Sequence, residues 1–170
     1  ERPVRWRAAP DSFPFGYLDF GALFRPERKI CGFATTFVRA KAGSKAPRAM
    51  SAWVGASGSF ALYWNGRMVL KDTAYRGHDA DRFATSLTLG AGYNNLTVKV
   101  CSDEAPPVVS VRLGDSKGAP DTNLETTNDL NASAEAAKLA PAKAEKPGPA
   151  PAARGPLGPV QAFAALVLGK

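Results

Sequence analysis

The feature that most constrains this chain is Asn65-Gly66, set between Phe60-Ala-Leu-Tyr-Trp64 and Arg67-Met-Val-Leu-Lys71. Both residues of an Asn-Gly pair accept the positive φ that a two-residue hairpin turn demands, and the flanking runs are β-branched, aromatic or aliphatic. A hairpin is therefore expected over residues 60–71. Alternation along it sends Phe60, Leu62 and Trp64 inward and Ala61 and Tyr63 outward.

Further short runs of the same kind flank the hairpin. Ile30 to Arg39 forms a strand with Phe33, Thr35, Phe37 and Arg39 on one parity and Ala34, Thr36 and Val38 on the other. Met50 to Val54, Phe83 to Leu89, Asn94 to Cys101 and Val109 to Leu113 continue the pattern, separated by Gly-, Pro- and Asp-containing breaks. Short strands with regular turn signals and no amphipathic helix between them predict an all-β, antiparallel sandwich over residues 30–118. Its expected core is Phe37, Val54, Leu62, Trp64 and Leu87, with Leu89, Leu96, Val98, Val109 and Val111.

The flanks differ in composition. Residues 1–29 carry Pro3, Pro10, Pro14 and Pro26 among scattered aromatics, and predict an irregular arm pinned across the sandwich. Residues 119–159 predict a linker: polar and loop-like over Asp121 to Leu130, one short helix over Asn131 to Leu139, then an Ala/Pro-rich extended stretch. Residues 160–170 are apolar and predict a helix that docks on a partner or opens a further domain. The chain begins with Glu1 and no leader pattern, the expectation for a processed or excised piece.

The net charge of +7 is concentrated at the N-terminal end, where residues 1–48 hold ten Lys/Arg against four Asp/Glu. These cations are scattered and lack interleaved aromatics, so no nucleic-acid partner is expected. No apolar run reaches the about 18 residues that a membrane-spanning helix needs. Zinc needs four ligands, and one His with two Cys in no Cys-x-x-Cys arrangement argues against a metal. Cys31 and Cys101 leave two readings, a disulfide in an exported protein or two buried thiols.

Chemistry-bearing residues are few. Tyr75, Arg76, His78, Asp79 and Asp81 share one loop, where a His beside a carboxylate offers a general base and paired carboxylates offer calcium ligands. No nucleophile motif accompanies them, and a solvated polar loop is the plainer reading. Trp53, Tyr63 and Tyr75, with Arg76, His78 and Asp79, are the candidates for a sugar platform, because a flat ring offers a π-face to stack on. No catalytic residue, metal ligand or cofactor site is assigned.

Phe33-Ala-Thr-Thr-Phe-Val-Arg39, Leu62-Tyr-Trp-Asn-Gly66, Leu87-Thr-Leu-Gly90 and Gly92-Tyr-Asn-Asn-Leu-Thr-Val-Lys-Val100 together resemble the galactose-binding-like jelly-roll module that precedes the catalytic domain of family 2 glycoside hydrolases. With Val111-Arg-Leu-Gly-Asp115, they also resemble the N-terminal sandwiches of large bacterial tetratricopeptide-repeat proteins, in which a linker leads to helical repeats. The resemblance covers residues 30–118 and implies a fold, with no catalytic role to transfer. A jelly roll could bring the strand ends holding Cys31 and Cys101 together, so a bridge is the expectation. The functional expectation is a non-enzymatic structural or protein-interaction module of a larger exported protein, partnered by another protein or a neighbouring helical domain. Carbohydrate binding is the alternative, and an enzyme domain a distant third.

Overall fold

A computed structural model describes residues 6–7 and 17–138. Nine strands and one short helix follow in order: β1 (Tyr17–Asp19), β2 (Ile30–Ala40), β3 (Arg48–Ala56), β4 (Ser59–Trp64), β5 (Arg67–Asp72), β6 (Phe83–Leu89), β7 (Asn94–Ser102), β8 (Val108–Asp115), β9 (Leu124–Thr127) and α1 (Ala132–Ala136). The chain is an all-β sandwich of two antiparallel sheets, ordered β1-β8-β3-β6 and β5-β4-β7-β2-β9.

The pairings β4 with β5, β3 with β6, β2 with β7 and β1 with β8 nest one inside the next. They are the rungs of one long hairpin centred on Asn65-Gly66, rolled so that alternate rungs fall on opposite sheets, which is jelly-roll order. Asn65 and Gly66 have φ of 50° and 76°, as the turn type requires. Strand β9 then extends the second sheet beyond β2.

The inner faces meet in one large core. Met50 and Val54 of β3 and Leu87 and Leu89 of β6 pack against Phe60, Leu62 and Trp64 of β4 and Leu96, Val98 and Val100 of β7. The inward parity read for β4 and β6 holds, and the buried Trp64 satisfies its indole by donating Nε1–H to Thr88 O at 2.9 Å. Val111 is only partly buried at the margin of this core.

Phe37 is buried on the other side of its sheet. Inward positions of β2 are Ala34, Thr36 and Val38, whereas Phe37 faces outward and is covered by Ala132 and Ala136 of α1 beside Tyr93. Alternation identified two parities; the short helix, which arrives from far along the chain, made the outer one apolar there.

Two edge strands lie outside residues 30–118. Tyr17–Asp19 pairs with β8, so the arm is not wholly irregular, and it leads into a 3-10 turn over Phe20–Ala22. Phe20 is 1% exposed and its ring lies on Gly32, where any Cβ would collide with it. Leu124–Thr127, expected as loop, pairs with the free edge of β2, a position where a short, half-polar strand suffices. The short helix falls where expected, over Ala132–Ala136. The extended linker and the apolar stretch 160–168 lie outside the described residues.

Candidate functional site

The sequence-read candidates occupy three separate places. Trp53 lies on the outer face of the first sheet but is 5% exposed, roofed by loops. The Arg112 guanidinium sits 5.1 Å from its ring centroid, and Gly118 closes against its edge, leaving no room for a sugar to stack. Arg112 is held there by Asp81, through Nε at 3.0 Å and Nη2 at 2.9 Å, and donates to Gly118 O at 3.0 Å.

Residues 73–82 form the larger part of this roof. An added Cβ on Gly55 would stand 2.8 Å from both Ala80 Cα and Ser110 Oγ, so the loop rests directly on β3. Arg76 pairs with Asp72 at 3.0 Å, which tethers the start of the loop. The Ala74 N–H and then the Arg76 guanidinium hold the Asp72 carboxyl below its ordinary range. Asp79 meets Arg82 at 3.8 Å and Asp81 meets Arg112, so the two carboxylates point to different cations. Among the described residues, no group of three or more His, Cys, Asp or Glu side chains is placed to hold a metal. Tyr75 is 61% exposed at the loop's surface.

His78 shares a hydrogen bond with Ser110 Oγ at 3.0 Å and lies 6.1 Å, centroid to centroid, from Tyr17. Burial pushes its pKa below the usual 6.5, opposed by the neighbouring Asp79. A Ser–His contact alone lacks the oriented third group and oxyanion donors of a nucleophilic site. Its evident work is to latch the loop onto β8. Because the folded pKa lies below the unfolded one, both states are neutral above pH 6.5 and the latch is then fully present. As pH falls below 6.5, the unfolded chain takes up the proton first and stability drops. Urea midpoints measured across this range are expected to fall toward acid for the native chain, and less steeply for His78→Gln.

The second sheet's outer face is covered by α1 around Phe37 and is open beyond it, toward Cys31 and Met68. Its register places Phe33, Lys99, Ala61 and Lys71 in one row and Thr35, Thr97, Tyr63 and Met68 in the next. Phe33 is 50% and Met68 47% exposed, whereas large apolar side chains elsewhere in the sheets are mostly turned inward. Lys99 Nζ lies 5.6 Å from the Phe33 ring centroid. Thr35 and Thr97 hydroxyls meet at 2.9 Å, Asn95 Nδ2 donates to Thr35 Oγ1 at 2.7 Å, and Thr97 donates to Asn95 Oδ1 at 3.0 Å. The outcome is a flat patch of apolar tips, two lysines and a closed polar triangle, with Tyr63 at its middle. Of the sequence-read candidates only Tyr63 belongs to it; Phe33, Met68, Lys71 and Lys99 were missed, although the outward parity of β4 pointed to the face.

The patch ends at the Cys31–Cys101 disulfide, which joins directly opposed residues of β2 and β7 with Cα atoms 4.0 Å apart. No helix among the described residues is long and apolar enough to cross a membrane.

No protein-family model matches the chain, and no curated protein matches it in sequence. Among solved structures it is similar to the PA14 domain of the MpAFP antifreeze protein, at 14% identity over 56% of this chain and 50% of that one, with a TM-score of 0.43. It is also similar to a PA14 sugar-binding domain from an RTX adhesin, at 15% identity over 56% and 52% of the two chains and a TM-score of 0.40. A third is a β-glucosidase from Kluyveromyces marxianus in complex with glucose, at 16% identity over 50% of this chain and 10% of that one, TM-score 0.38. The chain thus spans about half the length of the two PA14 chains. Likeness at this level transfers no residue role.

Proposed function

We propose that this chain is a non-catalytic binding module of a larger, exported protein, and that its contact surface is the outer face of the five-stranded sheet, engaged by an acidic protein surface. The observation that carries this reading is the difference between the two outer faces. One is roofed by residues 73–82 and the turn around Gly118; the other presents Phe33 and Met68 about half exposed. Phe33 and Met68 stand on β2 and β5 at the two sides of this face with Tyr63 between them, and exposed apolar side chains on an unroofed face mark an interaction site. The outward positions of β5, β4, β7 and β2 between Met68 and Cys31 include Lys71 and Lys99 and no Asp or Glu, which favours a partner rich in carboxylates. The disulfide supports an oxidising, extracytoplasmic setting.

A second reading is favoured by one local feature. Tyr63 stands beside the Thr35–Thr97–Asn95 triangle, an aromatic next to hydroxyl and amide groups, which is the chemistry that receives a sugar.

Binding by the native chain to proteins of its source and to a glycan array separates the two. Phe33→Ser with Met68→Ser, and separately Lys71→Glu with Lys99→Glu, are each expected to weaken a protein partner by about tenfold or more while the melting temperature holds. A glycan whose binding is lost in Tyr63→Ala and kept in Phe33→Ser would instead establish the sugar reading.

A further inference from the structure

Asn-x-Ser/Thr with x other than proline, the acceptor pattern for N-linked sugar, occurs twice in the chain, at Asn95-Leu-Thr97 and at Asn131-Ala-Ser133. The fold separates the two. Asn95 belongs to β7, which is paired with β2 on one side and β4 on the other. Its Nδ2 is spent on Thr35 Oγ1 at 2.7 Å, and the Thr97 hydroxyl donates to its Oδ1 at 3.0 Å. An enzyme could reach this amide only by pulling a central strand out of the sheet.

Asn131 differs in each respect. It lies in the turn between β9 and α1, where Asp129, Leu130, Asn131 and Ser133 are all exposed. An Asn just ahead of a helix commonly accepts a backbone N–H of the first turn, yet this side chain makes no capping hydrogen bond. Its Nδ2 donates to Asp129 Oδ1 at 2.9 Å, a surface contact that water can replace. The backbone here opens at little cost, because α1 has five residues, too few to persist without packing, and it is held by Ala132 and Ala136 on Phe37. Asn131 and Ser133 can therefore be presented to an enzyme while both sheets stay intact.

We infer that Asn131 is an N-glycosylation acceptor, modified by a transferase of the export pathway whose donor is an oligosaccharide carried on a lipid pyrophosphate. Nδ2 forms a bond to the anomeric carbon of the sugar, and the bond from that carbon to the phosphate oxygen breaks. The pyrophosphate leaves with the electron pair, and the amide gives up one proton. Ser133, two residues on, completes the pattern that the enzyme reads. The inference rests on the exported setting proposed above. Because α1 stands on Phe37, about 13 Å along β2 from Phe33, the sugar is attached at the covered end of the outer face, beside the open patch.

The test is to weigh the chain isolated from its source, intact and before and after reduction, and to sequence the peptide holding Asn131 by mass spectrometry. The expected result is a chain bridged at Cys31–Cys101 and heavier than its polypeptide by whole sugar residues, with the sugar on Asn131. Asn131→Gln and Ser133→Ala, expressed in the same source, are expected to fall to the bare polypeptide mass. Ser133→Thr and Asn95→Gln are expected to keep the addition, an ordering set by the acceptor pattern and not by any packing role of these exposed side chains. A bridged chain at the bare mass overturns the inference and leaves the exported reading standing, whereas a bare chain with free thiols overturns both. Sugar on Asn95 in place of Asn131, or an addition that survives Ser133→Ala, also overturns it.

Discussion

Replacing Cys31 and Cys101 together by alanine is expected to lower the unfolding free energy by about 4 kcal/mol, read from urea denaturation of the native and variant chains. The bridge closes a loop with a sequence separation of 70, and a loop of that length removes entropy from the unfolded chain worth about that amount at room temperature. Little of the effect should come from lost packing, because Cys31 is exposed and the surrounding ladder runs from Ile30 opposite Ser102 to Val38 opposite Asn94 without it. An unfolded state released from the crosslink exposes more surface, so the denaturant slope should steepen as well. A loss below about 1 kcal/mol with an unchanged slope would mean that the unfolded chain is already held compact there by other means.

The centre of the fold was legible because its signals are local. Asn65-Gly66 demands a turn from its own backbone, and β4 and β5 alternate on either side of it, so the innermost rung and the inward set Phe60, Leu62 and Trp64 follow without knowledge of any other strand. What alternation cannot say is which parity meets which neighbour. Phe37 was read as core and is buried, yet under α1 on the sheet's outer side. Trp53 was read as a sugar-platform candidate and is buried, because β3 is covered on both faces from Met50 to Ala56, roofed by loops whose arrival depends on the whole topology. The edge strands Tyr17–Asp19 and Leu124–Thr127 are too short to show a period, and they exist because β8 and β2 offer free edges.

The candidate site was less legible for the same reason. Phe33, Lys99, Ala61 and Lys71 come from four strands, and their grouping is set by register across β2, β7, β4 and β5, a long-range property. The loop from Tyr75 to Asp81 attracted attention because it concentrates titratable residues. Its charges prove to be spent on holding the loop: Arg76 on Asp72, His78 on Ser110, Asp81 on Arg112. Density of chemistry in a sequence and openness to a ligand are separate quantities, and here they fall on opposite faces of the molecule.

Asn94→Ala is expected to cost about 4 kcal/mol, comparable to loss of the disulfide, although Asn94 touches neither the bridge nor the open face. Its side chain is fully buried and serves five groups. Oδ1 accepts from Gly90 N and from Asn65 Nδ2, both at 3.0 Å, and Nδ2 donates to Gly90 O at 3.1 Å, Gly92 O at 3.2 Å and Val38 O at 3.4 Å. Asn65 in turn accepts the Asn95 N–H with its side chain and donates its own N–H to Asn95 O, both at 2.8 Å. One amide therefore ties the β6–β7 turn to the central hairpin turn and to β2. Alanine would leave two donors and up to three carbonyls without this partner inside the protein, at about 1 to 3 kcal/mol for each group left unsatisfied, partly offset by relaxation. Asn94→Asp keeps the acceptor, loses the donor and buries a charge, so it should be no milder. Asn95→Ala is the control: its side chain lies on the solvated outer face with Thr35 and Thr97, water can replace it, and a loss of about 1 kcal/mol is expected. Equal losses at the two positions, measured by urea denaturation, would show that the Asn94 network is not what joins the turns.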